Sequence, residues 1–166
     1  MTLELNMSLA EALLERKARQ ERLQNLTQRL VVNARVQEGD VPAEDPADLL
    51  AEAEQAVADL EQLIVAINRT NVATRLPGDE GVTIMEAIAR RDMLGLRLAT
   101  LQSTIEAATK TRERWAVTRN EVRTQATVDV AALQREYDAL ARARRELDAR
   151  LQAANWATAL LPMQTT

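Results

Sequence analysis

Apolar residues recur every three or four positions along four long stretches of the chain, which is the spacing of one face of an α-helix. The pattern predicts helices over residues 8–33, 46–71, 84–115 and 130–154. The last of these has the most regular seam, with alternating spacings of three and four: Val130, Leu133, Tyr137, Leu140, Arg144, Leu147, Leu151 and Ala154. Such spacing is typical of coiled-coil-like packing. The sequence therefore predicts an all-α fold of four long antiparallel helices in a single domain, residues 1–166.

Helix-starting residues precede each predicted helix and support these boundaries. Ser and Thr followed three residues later by Glu form capping boxes, and Asp is a favourable N-cap. The signals are Ser8 with Glu11, Asp45 before Pro46, Thr83 with Glu86, and Asp129. Gly95 lies inside the third helix, where glycine costs about 1 kcal/mol relative to alanine. We interpret it as a point of close helix approach.

The connections are long for a helix bundle, in which 2–8 residues are usual. Residues 34–45 are predicted to be a loop, and residues 76–81 a turn containing Pro77 and Gly78. Residues 116–128 are rich in Val and Thr and predict an extended or short-strand connection. The tail from Asn155 onward is expected to be a frayed end. Long connections in an economical fold suggest that the ends of the bundle serve a partner or a function.

Composition excludes several kinds of chemistry. The chain has no Cys and no His, so disulfides, thiolate nucleophiles and catalytic triads are ruled out. A carboxylate magnesium site has matching spacings at Glu11/Glu15 and Asp48/Glu52, but the flanking residues place these acids on solvated faces. No phosphate-binding glycine motif occurs. We predict no catalytic residues, no metal and no cofactor.

Charge and hydropathy limit the classes of partner that the chain is expected to bind. The net charge is −4, which disfavours nucleic acid as a partner. No apolar run approaches the roughly 18 residues of a membrane span, and the N-terminus shows no export signal, so we expect a cytoplasmic protein that binds no membrane. Nine acids and no base lie between Val36 and Asn68, whereas five bases lie between Lys110 and Arg123. These stretches are either solvated helix faces or complementary patches within one chain or between copies.

Up-down-up-down topology would gather polar side chains at one end of the bundle. Such side chains make several hydrogen bonds and form either a ligand pocket or simple helix and turn caps. The candidate ligand-binding residues are Asn68, Asn71, Arg75, Asp92, Asn155 and Trp156.

Five segments together resemble a small bacterial family labelled septicolysin-like, of unknown function. They are RLVVNARVQEGDVPAEDPADLL (29–50), INRTN (67–71), TIMEAIARRDML (83–94), TVDVAALQ (127–134) and ANW (154–156). The resemblance covers residues 8–160. It implies a helical protein with no established activity, and the family label implies a membrane-active cytolysin.

The residues favour a self-associating structural or interaction protein. Narrow Leu/Ala seams, few aromatic residues and opposed charge patches predict a homo-oligomer, with an unidentified protein as a further partner. The alternative is a small-ligand or divalent-metal-dependent enzyme that uses the polar cluster at one bundle end.

Overall fold

The computed structural model describes residues 7–110 and 125–162. Its four helices are α1 (Leu9–Asn33), α2 (Pro46–Ala73), α3 (Ile84–Thr109) and α4 (Val130–Ala157), and its two short strands are β1 (Arg75–Leu76) and β2 (Asp79–Thr83). The predicted all-α fold with four long helices is confirmed. The extended connection predicted over 116–128 lies outside the described residues, except for residues 125–128, which are irregular.

The helices begin where local capping chemistry places them. The Ser8 hydroxyl accepts from the Glu11 N–H at 3.2 Å, while a Glu11 carboxylate oxygen accepts from the Ser8 N–H at 2.7 Å, which completes the predicted capping box. Asp45 caps α2 through the Ala47 N–H, and Asp129 accepts from the Ala132 N–H. These bonds satisfy amides that have no partner inside the helix.

The chain divides into two compact units. The first contains the described residues up to Met85 and those from Gln152 onward, and the second is Glu86–Leu151. The core of the first unit is made where α1 and α2 pack against each other. Leu26 is buried among Leu49, Ala53 and Ala56, and the guanidinium of Arg19 donates to the Asp59 carbonyl at 2.8 Å.

Three residues fasten the acidic loop that joins α1 to α2. Asn33 is 7% exposed; its amide donates to the Arg29 carbonyl at 3.0 Å and accepts from the Glu44 N–H at 3.1 Å. The Arg29 guanidinium donates to both carboxylate oxygens of Glu44. A two-bond arginine–carboxylate pair fixes geometry better than a single bond. The predicted loop is thus tied back to the end of α1.

This pair makes stability depend on pH. Hydrogen bonds from Arg29 lower the pKa of Glu44 below its ordinary 4.5. A lowered pKa means that the stabilisation is present above the pKa of the unfolded chain and is lost as pH falls through the folded value. Glu44→Gln should therefore lower the melting temperature at pH 7, and its difference from wild type should shrink toward pH 3. Calorimetry between pH 3 and 7 measures this.

Arg29→Gln should show the same convergence, because it removes the other partner of the pair. Glu38→Gln removes an exposed carboxylate of the same loop without changing the bonds to Arg29, and it should not reproduce the convergence. A deficit in Glu44→Gln that stays constant from pH 7 to pH 3 would contradict the assignment.

The segment predicted as a plain turn is a small hairpin. β1 and β2 pair antiparallel, with Leu76 opposite Asp79. Pro77 occupies the first central turn position and Gly78, at φ +77°, the second, as in a type II turn. The hairpin buries Leu76 and Val82. The strands were missed because β1, with two residues, is too short to show alternation, and β2, with the sequence DEGVT, contains one aliphatic residue.

The tail was expected to be frayed, but its residues 158–161 are hydrogen-bonded to residues 7–9 and to Thr70. The Leu9 N–H donates to the Thr158 carbonyl, and the Leu160 N–H donates to the Met7 carbonyl, each at 2.8 Å. The next amide, of Leu161, donates to the Thr70 hydroxyl at 3.0 Å. We call these bonded segments, Met7–Leu9 and Thr158–Leu161, the terminal clasp. The clasp satisfies backbone groups at both ends of the chain at once.

In the second unit, α3 and α4 run antiparallel. Arg97 donates to Glu136 at 3.2 Å, and the Arg91 guanidinium lies 3.9 Å from Asp148. The earlier residue of α3 thus pairs with the later residue of α4, as antiparallel helices require. A Cβ on Gly95 would lie 3.9 Å from the Arg144 Nε atom. That is ordinary contact with a flexible side chain. Gly95 therefore marks an arginine crossing over α3, not an approach of two backbones.

Candidate functional site

The candidate ligand residues are spread over the molecule as separate groups. Five of the six belong to the first unit, and Asp92 belongs to the second, where it accepts from the Arg91 guanidinium at 2.8 and 3.0 Å. Asn68 and Arg75 are exposed, and Asn71 and Asn155 are half-buried. Trp156 is 62% exposed, so its indole ring does not form a pocket wall. The ligand-binding assignment remains a prediction for these residues.

One candidate residue lines a surface depression. Asn68, Arg69, Val72 and Ala73 from the last turns of α2 form an open groove with Leu161 of the terminal clasp. A second groove, lined by Glu15, Arg19, Arg22 and Asp59 with two alanines, lies between α1 and α2. There Arg19 already donates to Glu15 and to the Asp59 carbonyl. Arg19 in this groove therefore serves to join α1 and α2.

The side of α2 that faces away from the core carries aliphatic and acidic residues in alternation. We call it the α2 outward face, and all of its members are exposed: Leu50, Glu54, Val57, Glu61, Val65, Asn68 and Val72. The four aliphatic side chains are 48–52% exposed. Their spacings of seven and eight keep them on one line of the helix, beside the side that buries Leu49, Ala53 and Ala56. The groove at Asn68 and Val72 continues this face.

α3 has an outward face without charge. Its exposed members are Ala89, Met93, Leu96, Thr100, Ser103 and Ala107. Met93 is 54% exposed and Leu96 62%. The Thr100 hydroxyl donates to the Leu96 carbonyl within the helix at 3.0 Å, so its polar atom needs no outside partner. From Met93 to Ala107 the face runs about 21 Å along the helix.

The predicted apolar stripe of α3 is a different one and forms its inner side. Leu98 is 8% exposed, and Leu94, Leu101 and Ile105 are half-buried. The outward face was missed because its residues are small or polar except for Met93 and Leu96. The available signal was a second line at spacings of three and four that contains no charged residue.

α4 presents an arginine-rich outward face. Its exposed members are Ala131, Arg135, Asp138, Arg142, Arg145 and Ala149. Asp138 accepts a hydrogen bond from Gln134 at 3.1 Å. The predicted seam lies on the other side of the helix, with Leu151 and Ala154 buried; Arg144, the one charged member of that seam, is exposed.

Within the described ranges, no three carboxylates converge closely enough to hold a metal ion. Over the same residues, no helix has an apolar stretch long enough to cross a bilayer. The arrangement therefore offers exposed helix faces as its most developed feature. In helical proteins in general, long apolar or charge-patterned faces are common contact surfaces for partner helices.

Comparisons with known proteins agree with this description. The model of a family of unknown function, DUF6847, matches residues 5–160. A crystal structure of a functionally unknown conserved protein from Corynebacterium diphtheriae is similar to the chain, with 36% sequence identity and a TM-score of 0.85. The match covers 93% of this chain and 99% of that one. No curated protein matches the chain.

The resemblance to septicolysin-like proteins is wrong. The family match over residues 5–160 is to DUF6847, and nothing in it points to a septicolysin-like family. The cytolysin activity that the label implied therefore has no basis in the family match.

Proposed function

Because the chain belongs to DUF6847, a family of unknown function, we propose its role from its surface: it is a helical interaction protein that associates with a second copy of itself. The observation that carries the proposal is the uncharged outward face of α3. Met93 and Leu96 are exposed on it beside Ala89, Thr100 and Ala107. Burying methionine and leucine between two copies gives a favourable hydrophobic term.

The composition of this face suits a contact between identical surfaces. In a two-fold dimer the same patch packs against itself, so a face whose charges are mostly of one sign repels its copy. The α2 outward face carries two glutamates and the α4 outward face carries three arginines, and each would repel its own copy. The α3 face avoids that cost. Its small residues allow close helix approach, while the flexible Met93 side chain adapts to the partner surface.

Sedimentation velocity at 1–100 μM protein in 500 mM sodium chloride tests the proposal. Wild type should form dimers in this range, and Leu96→Glu should weaken dimerisation at least about tenfold, because it places a charge in an apolar contact. Leu14→Glu is the matched control, since Leu14 on α1 is 61% exposed and Leu96 is 62% exposed. It should leave dimerisation unchanged. Circular dichroism should show equal helicity in all three proteins.

A wild-type protein that sediments as a monomer at 100 μM would overturn the proposal. So would a Leu96→Glu variant that dimerises as well as wild type, because the α3 face would then not be the contact.

A further inference from the structure

The α2 and α4 outward faces are complementary to each other in charge. Glu54 and Glu61 lie seven residues apart in the middle of the α2 face, and Arg135 and Arg142 lie seven residues apart on the α4 face. Seven residues of helix rise about 10.5 Å. Both carboxylates can therefore meet both guanidinium groups when the two helices lie side by side, in either direction.

These four charged side chains are available for such a contact. All four are exposed. Within residues 7–110 and 125–162, none of them forms an ion pair, whereas Glu44, Glu136 and Asp148 are each paired with an arginine. On the α2 face, Val57 lies between the two glutamates, and Leu50 and Val65 flank them. On the α4 face, Asp138 lies between Arg135 and Arg142, and the alanines lie at the two ends of the face.

We infer that the α2 outward face of one copy docks on the α4 outward face of another, with Glu54 and Glu61 paired to Arg135 and Arg142. The contact rests on the proposed self-association and extends it. Two copies of the α2 face cannot pair with each other, because Glu54 would oppose Glu54 or Glu61 of the partner. Asp138 on the α4 face is held by Gln134, and three arginines around it keep the face positive. Unlike faces form a heterologous contact, which joins dimers into larger assemblies.

The dependence on salt concentration distinguishes the α2–α4 contact from the α3 contact. Screening shortens the reach of exposed charges from about 10 Å at 0.1 M salt to about 3 Å at 1 M, and it leaves apolar contacts intact. Wild type should therefore sediment as an assembly larger than a dimer in 50 mM sodium chloride and as a dimer in 500 mM. The double variants Glu54→Arg/Glu61→Arg and Arg135→Glu/Arg142→Glu should each sediment as dimers at both salt concentrations.

An equimolar mixture of the two double variants gives the decisive result. The reversed, positive α2 face of Glu54→Arg/Glu61→Arg repels the positive α4 face of wild type and of its own copies. It complements the reversed α4 face of Arg135→Glu/Arg142→Glu. The mixture should regain the large assembly at 50 mM salt. As a control, Glu21→Arg/Glu38→Arg makes the same change in net charge at exposed positions outside both faces, and it should assemble like wild type.

Double variants that assemble like wild type, or a mixture that stays dimeric, would overturn the inference. The two proposals fail separately. A wild type that is monomeric at 500 mM salt but assembles at 50 mM, with the charge variants dissociated, would overturn the α3 dimer and support the α2–α4 contact. Wild-type dimers at both salt concentrations would support the α3 dimer and overturn the α2–α4 contact.

Discussion

Leu26→Ala should lower the free energy of unfolding by about 2–5 kcal/mol, the range found when a buried leucine is truncated and the cavity only partly closes. Leu26 is 2% exposed and lies where α1 meets α2, among Leu49, Ala53 and Ala56. Two of these neighbours are alanines, whose short side chains cannot move to fill the space. The loss should therefore fall in the upper half of the range. Urea denaturation followed by circular dichroism measures it.

Leu14→Ala is the matched control for Leu26→Ala. It makes the same chemical change in the same helix, but Leu14 is 61% exposed. Its effect should stay within about 0.5 kcal/mol, as is usual for surface substitutions. Equal losses in the two variants would mean that α1 does not pack on α2 through Leu26, and the description of the first unit would be wrong.

The parts of this fold that the sequence predicts are those set by neighbours in the chain. The capping box of Ser8 and Glu11 needs only four consecutive residues, and the Asp45–Pro46 start of α2 needs two. Both form as predicted because local hydrogen bonds to free amides dominate there. The inner stripes of the helices follow for a similar reason, since a repeat of 3.6 residues fixes which side chains share a face.

Features that join distant parts of the chain escaped sequence reasoning. The terminal clasp pairs residues near position 8 with residues near position 160, and its segments carry no strand pattern. Arg19 illustrates the same limit, because its role is set by the carbonyl of Asp59, forty positions away. Every residue has a backbone carbonyl, so the sequence does not indicate which carbonyl accepts the hydrogen bond. Of the predicted ligand-binding residues, Asn68 lines one of the two grooves described above, and the assignment of all six stays a prediction.

The sequence indicated the outward faces only in part. The acids of α2 were recognised only as part of the acidic stretch between Val36 and Asn68. Their helical positions show that Glu54 and Glu61 share a line with Leu50 and Val57, whereas Glu52 lies elsewhere on the helix. The basic stretch that had been opposed to the acidic one, Lys110–Arg123, lies almost entirely outside the described residues. The basic face that we propose as its partner, on α4, lies within the described residues.

Thr70→Val should lower the free energy of unfolding by about 1–3 kcal/mol, because it leaves a backbone amide without its acceptor. Thr70 is fully buried near the end of α2. Its hydroxyl donates to the Ala66 carbonyl at 2.8 Å and accepts from the Leu161 amide at 3.0 Å. Valine keeps the shape and removes both bonds. The Leu161 amide can regain a partner only by turning to water, which pulls the terminal clasp away from α2.

Two measurements separate this loss from a general weakening of the core. In Thr70→Val, hydrogen exchange should show a larger loss of protection at Leu161 than at Leu26 and Leu49, whose protection should fall only by the change in the global free energy of unfolding. Thr70→Ser retains the hydroxyl and loses one methyl group, which costs about 1 kcal/mol; it should keep the Leu161 amide protected. If Leu161 exchanged equally in Thr70→Val and wild type, the clasp would be held by its bonds to Met7 and Leu9 alone, and Thr70 would not anchor it.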